Sequence, residues 1–246
     1  MDRRTFLKTL PALTVLAGTA TSFAQDADKP SNSEIDANSV SGFIGDLKPI
    51  VLVKPQMTGG KSVLEAIKER RTSRSVSSES LSPQALSDLL WAAFGVNRDN
   101  GPFTRPGRTA ASASNSQEID LYVALPEGIY LYEAVAHHLS PVVAGDFRSK
   151  AGRRGASQAP VNIIFVADIE KYSKAPFQEP GLIDPEIQKS YYNVATGLIA
   201  GNVYLFAASQ GLAAWFHNCD KKGLAEVLKL RPEQRVLYAQ TVGYPA

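Results

Sequence analysis

The chain has 246 residues, 26 Lys and Arg against 24 Asp and Glu, and a formal net charge of +2. That length suits one domain with a sizeable core, and the near-balance of charge excludes the basic surface that nucleic acid or an anionic membrane would require. A single cysteine, Cys219, excludes an intrachain disulfide, and with three histidines it leaves too few ligands for a structural zinc site.

At the start, Asp2-Arg3-Arg4-Thr5-Phe6-Leu7-Lys8 precedes an apolar run from Leu10 to Ala20, and Ser22-Phe23-Ala24 supplies small residues before Gln25. Residues 1–24 therefore read as a twin-arginine signal peptide, and the protein is expected in the periplasm or otherwise exported. The apolar run is about half of the roughly 20 residues a membrane span needs, so no stable membrane insertion is expected. Removing Arg3, Arg4, Lys8 and Asp2 leaves 23 basic and 23 acidic residues, a neutral mature chain. Export in the folded state points towards a cofactor inserted beforehand. Residues 25–54 are polar and lack helical periodicity, which predicts an arm or linker, and the folded domain is expected over 55–246.

The amphipathic stretch from Ser62 to Glu69 predicts a helix, followed directly by Arg70-Arg71-Thr72-Ser73-Arg74. Arginine forks and hydroxyls match phosphate oxygens. Such a cluster also suits a solvated helix end, where cations complement the macrodipole. Ser82 as N-cap and Pro83 at the first helical position open a second helix that runs to Gly95. Asn97 to Gly107 reads as a Gly/Pro-rich loop. Leu121–Leu125 and Gly128–Tyr132 flank Pro126-Glu127 as a hairpin. His137 and His138 read as turn residues. Val161–Ala167 is apolar and β-branched, hence a buried central strand. A long helix is expected from Tyr191 to Gln210 and a closing strand from Arg235 to Gly243. Helices and strands do not alternate as βαβ units, so the fold class is α+β with a largely antiparallel sheet.

Four segments in order carry a family resemblance, over roughly Ser62 to Pro245. They are Arg70 to Arg74; Arg108-Thr109-Ala110-Ala111-Ser112-Ala113-Ser114-Asn115-Ser116-Gln117 before a strand; Gly128 to Glu133; and Thr196-Gly197 through Gly201-Asn202-Val203 and Gly211-Leu212 to Val242-Gly243-Tyr244-Pro245. The chain resembles the FMN-dependent nitroreductase-like flavoproteins, nearest the azoline (thiazole/oxazole) dehydrogenase branch. The resemblance implies a nitroreductase-like fold, an arm-exchanged homodimer with FMN at the interface, and two-electron hydride transfer by a ping-pong mechanism. It implies that Arg70, Thr72 and Arg74 hold the FMN phosphate. It places Ser114, Asn115 and Gln117 beside the flavin ring, and the Gly197 backbone N–H near flavin N5.

Two positions depart from the family pattern. Thr196 stands where relatives often carry an acid, and the chain stops at Ala246 where many continue to a basic residue for the phosphate. Arg108, Lys150, Arg153 and Arg154 are then further phosphate candidates, or solvated charges. Trp215-Phe216-His217-Asn218-Cys219 is the candidate substrate side, with His217 as a proton donor or acceptor. Alternation along a strand would instead bury Trp215 and His217 as core, the reading we favour, and Cys219 reads as a small buried residue. The expected activity is oxidoreduction of a small organic, quinone or nitro-type substrate, with an unassigned electron donor. A non-catalytic flavin-binding or scaffold protein and a peptide azoline dehydrogenase are the alternatives.

Overall fold

The computed structural model describes residues 45–153 and 158–246. The signal reading of 1–24 and most of the 25–54 arm fall outside them. The described residues hold nine strands: β1 (Ile50–Val51), β2 (Val96–Arg98), β3 (Gly107–Arg108), β4 (Ile119–Leu125), β5 (Gly128–Glu133), β6 (His138–Ala144), β7 (Val161–Asp168), β8 (Ala213–His217) and β9 (Gln234–Gly243). The helices are α1 (Val63–Glu69), α2 (Pro83–Phe94), α3 (Arg148–Ala151), α4 (Glu170–Ser173), α5 (Pro185–Gln210) and α6 (Lys221–Val227). Seven strands form one sheet in the order β1-β6-β5-β4-β7-β9-β8, with every pairing antiparallel. The α+β expectation holds.

Residue alternation decides the two layers. Leu121, Val123 and Leu125 of β4 and Ile163, Phe165 and Ala167 of β7 face a core closed by α2 and α5, while Tyr122, Ala124, Ile164 and Val166 face a second core containing Leu224 and Leu228. All eight residues of β7 are buried, which explains its lack of polar alternation. Each fully buried Leu, Ile or Phe contributes roughly 1.5–3 kcal/mol.

The predicted Ser82 cap is present, its hydroxyl accepting from Ala85 N with Pro83 at the first position, and Ser62, expected inside the first helix, instead caps it in a capping box with Glu65. α5 begins six residues before Tyr191, because Asp184 caps it by accepting from Glu186 N and Ile187 N, and Pro185 follows. It ends at Gly211, whose φ of +71° suits glycine. The stretch expected as a loop holds β2 and β3, paired across a register shift; a Cβ at Gly107 would lie 2.3 Å from Arg98 Cζ, so the Arg98 side chain lies across Gly107 as placed. Only His137 is a turn residue, at φ +48°, and His138 opens β6. β6 accommodates Pro141 because β1 pairs only with His138 and Leu139, leaving the rest of that side as an edge. The sheet already starts at Ile50, so the segment just before Pro55 is extended and paired.

Candidate functional site

The arginine segment is extended and lies beside the sheet edge formed by β8. Ser73 N donates to Ala214 O (2.9 Å), Ser77 N to Tyr244 O (2.8 Å), and Val76 bridges Pro245. Arg70 stands over the Tyr204 ring at 5.4 Å and Arg74 over the Trp215 ring at 5.3 Å. Among the described residues, no carboxylate pairs with Arg70, Arg71 or Arg74. The Tyr204 hydroxyl accepts from Phe216 N (2.8 Å) and lies 3.1 Å from Thr72 Oγ1. With Tyr204 donating to Thr72, the Thr72 proton is free to point outward. Arg71 and Ser73 line a cavity of about 180 Å³ with Glu69, Tyr204 and Leu212. Three exposed cations with no paired acid, Glu69 being held by Lys61, beside a free hydroxyl are a fit for a phosphate monoester.

The second predicted group lies on the loop before β4. A cavity of about 560 Å³ is walled by Arg98, Phe103, Arg108, Thr109, Ser112, Ser114, Asn115 and Glu179 among others. It shares no wall residue with the cavity at the arginine segment; a third, of about 340 Å³, borrows Lys61 from one and Asn97 and Thr109 from the other. Gln117 is fully engaged: its oxygen accepts from Arg108 Nε (2.7 Å) and its nitrogen donates to Pro106 O and Asn115 Oδ1. Asn115 Nδ2 donates once, to Pro102 O (3.2 Å), so one amide hydrogen is unused. Ser114, Asn115 and Gln117 all have positive φ, as do Phe103 and Thr104. Five non-glycine residues in the left-handed region on one loop system mark a site where local strain is held by the surroundings.

His217 is buried. Its Nδ1 donates to Asn218 O (2.8 Å), and Nε2 lies 2.8 Å from Thr241 Oγ1, which is 2.6 Å from the Asn162 amide. Turning that amide so that Nδ2 donates to Thr241 frees the threonine proton for Nε2 and keeps the ring neutral. Burial pushes the imidazole pKa down, in the same sense. Both nitrogens are thus used internally, in agreement with the core reading for His217, whereas Trp215 is only half-buried, with Arg74 over its ring. Burial raises the Cys219 thiol to about 11, which makes it a poor nucleophile. Gly197 is exposed on α5, and among the described residues an added Cβ at it or at Gly201 would meet nothing within 4 Å beyond the helix's own backbone, so no packing between described elements requires them. Thr196 is buried, its hydroxyl donating to Tyr192 O one turn back. Lys150 pairs with Asp220 at 3.4 Å, away from the arginine segment.

Residues 67–244 match the Nitroreductase family. The chain belongs to the nitroreductase family. A candidate nitroreductase of Ralstonia eutropha JMP134 has a solved structure similar to this nitroreductase at 33% identity and a TM-score of 0.71, covering 80% of this chain and 90% of that one. A candidate nitroreductase of Methanocaldococcus jannaschii is 26% identical over 179 residues, which is 66% of this chain and 82% of the relative. The microcin synthetase McbBCD complex of E. coli shares the fold at 16% identity and a TM-score of 0.57, over 87% of this chain and 84% of that chain. The protein is a flavin-dependent oxidoreductase by family. Among the described residues no helix is long and apolar enough to cross a membrane.

Sequence reasoning missed Tyr204, whose hydroxyl ties the arginine segment to β8, and the Arg108–Gln117 pair that holds the loop. Tyr204 lies seven residues after Gly197, two helical turns, so its place on the same side of α5 was legible from spacing.

Proposed function

We propose that this nitroreductase-family protein is an exported FMN oxidoreductase working as a homodimer, with Arg70, Thr72 and Arg74 on the FMN phosphate and Ser114, Asn115, Gln117 and the Gly197 backbone towards the ring. The observation that carries the reading is the arginine segment: three arginines, held over aromatic faces or against a cavity, with no carboxylate of the described chain paired to them, Glu69 being taken by Lys61. Bound FMN would supply two-electron hydride chemistry, which no side chain here can.

The chain's own groups would do the rest. Arg70 and Arg74 anchor the phosphate, and Tyr204 aims the Thr72 proton outward. Gln117 acts through others, holding Asn115 and Arg108 in place. His217 positions β8 by its bonds to Asn218 and Thr241, which leaves it no free nitrogen for proton transfer.

Pairing of chains fits the split between the two groups of residues, since their cavities share no wall. It also fits the apolar face where Val63, Leu64 and Ile67 of α1 are 69, 78 and 55% exposed and Val194 of α5 is 59% exposed. A periplasm holds no standing pool of reduced nicotinamide, so the donor is a quinone, a redox protein or an oxidisable organic substrate.

The test is the visible spectrum of natively exported protein, with its released flavin identified by chromatography. One FMN per subunit, and loss of the preference for FMN over riboflavin in an Arg70→Ala/Arg74→Ala variant, are expected. A colourless protein that rejects added FMN overturns the reading.

A further inference from the structure

The cavity beside the loop before β4 contains a cation that the fold does not need as a cation. Arg108 is half-buried and stands 5.1 Å over the Phe94 ring; its Nε and Nη1 donate to Gln117 and to Phe94 O. Neutral donors could make both bonds. No carboxylate reaches the guanidinium: Asp120 is taken by Lys171 at 2.5 Å, and Glu133 acts on Arg108 only at a distance. Nη2 has no partner among the described residues. A desolvated cation without a counter-ion is costly, and here it is also immobilised on three sides, so one face of a planar fork is presented at fixed orientation.

One other feature of the same cavity points to a ligand. Phe103, held at φ +59° on the wall, stacks on Phe177 with centroids 5.3 Å apart and planes 12° apart, and both rings are about half exposed. An aromatic face and an unpaired guanidinium around about 560 Å³ suit a small planar acid. Glu179 on the wall repels a carboxylate, so the acid end is directed to Arg108.

We propose that this cavity binds a planar, carboxylate-bearing aromatic or heteroaromatic compound, with the carboxylate on Arg108 and the ring against Phe103. The role of that compound as the redox substrate rests on the flavoenzyme reading; its binding does not.

The test titrates the full-length protein as purified with 4-nitrobenzoate and with the neutral isostere 4-nitrobenzamide, by calorimetry. The carboxylate should bind at least about tenfold more tightly, as expected for one charge-assisted contact. Arg108→Met should abolish that preference and Arg108→Lys keep part of it. Equal binding of the two probes by the unaltered protein overturns the proposal, whether or not the variants fold. Release of flavin by Arg108→Met, seen in the spectrum, also overturns it by assigning the guanidinium to the cofactor. If the protein holds no flavin, the functional reading fails, while the same pair of titrations still decides the carboxylate site.

Discussion

Tyr204→Phe removes one oxygen and tests whether the arginine segment is held for phosphate by α5. The lost hydroxyl accepts from Phe216 N at 2.8 Å and faces Thr72 Oγ1 at 3.1 Å. β8 is an edge strand, so Phe216 N has no ladder partner to replace it. An unsatisfied backbone N–H costs about 1–3 kcal/mol; Phe216 is only partly buried, and water recovers some of this, so about 1–2 kcal/mol is expected. For a domain of this size each kcal/mol lowers Tm by roughly 2–4 °C, so flavin-free Tyr204→Phe should melt about 2–8 °C below the unaltered protein in calorimetry. A freed Thr72 also loses its orientation. A charge-assisted hydrogen bond is worth about 1.5–3 kcal/mol, so even partial loss should weaken FMN by several-fold to about tenfold, read as quenching of flavin fluorescence. Riboflavin, which lacks the phosphate, should bind both proteins equally. An unchanged Tm would refute the edge-capping argument. An equal loss of FMN and riboflavin would refute the phosphate role.

Glu118 is fully buried with Oε1 unpartnered, and burial raises its pKa. Its contribution is complete below about 4.5 and is lost as pH rises through the folded value, so Glu118→Gln should raise Tm at pH 7.5 and leave it unchanged at pH 4. Burial lowers the pKa of His137 and of His217; both contribute stability above about 6.5 that falls away as pH drops through their folded values. Tm should therefore decline from pH 7.5 to 5, and the slope should flatten in His217→Gln if that ring is part of the cause. With the Cys219 thiol raised from 9.0 to about 11, its thiolate fraction at pH 8 falls roughly a hundredfold. Ellman's reagent should react slowly with folded protein and promptly in guanidinium, and equal rates would show the thiol is open.

Layers and the Ser82 cap were legible in the sequence because each rests on short-range rules. Ser82 announces a helix start, and the continuous apolar run of β7 announces a strand buried on both faces. The start of α5 was not read, although Asp184-Pro185 is a sound N-terminal signal, because its first two turns face outward and carry no apolar periodicity. β2 and β3 were hidden in a Gly/Pro-rich stretch, where Gly107 lies in a strand under the Arg98 side chain rather than in a turn.

The candidate site was half legible for a related reason. Arg70 to Arg74 is local in sequence, so its composition suggests an anion site and equally suits a solvated helix end. What shapes the proposed site is non-local: Tyr204 lies 132 residues from Thr72, and Trp215 comes from β8. Composition of the Ser112–Gln117 loop reads as a polar turn, yet its side chains bond mainly inward, and the group left facing the cavity is Arg108, four residues earlier. The chemistry of that cavity thus depends on which polar groups the fold has already satisfied. Gln117 and Asn115 give most of their capacity to the loop, so discrimination between ligands falls to the guanidinium, whose Nη2 has capacity left.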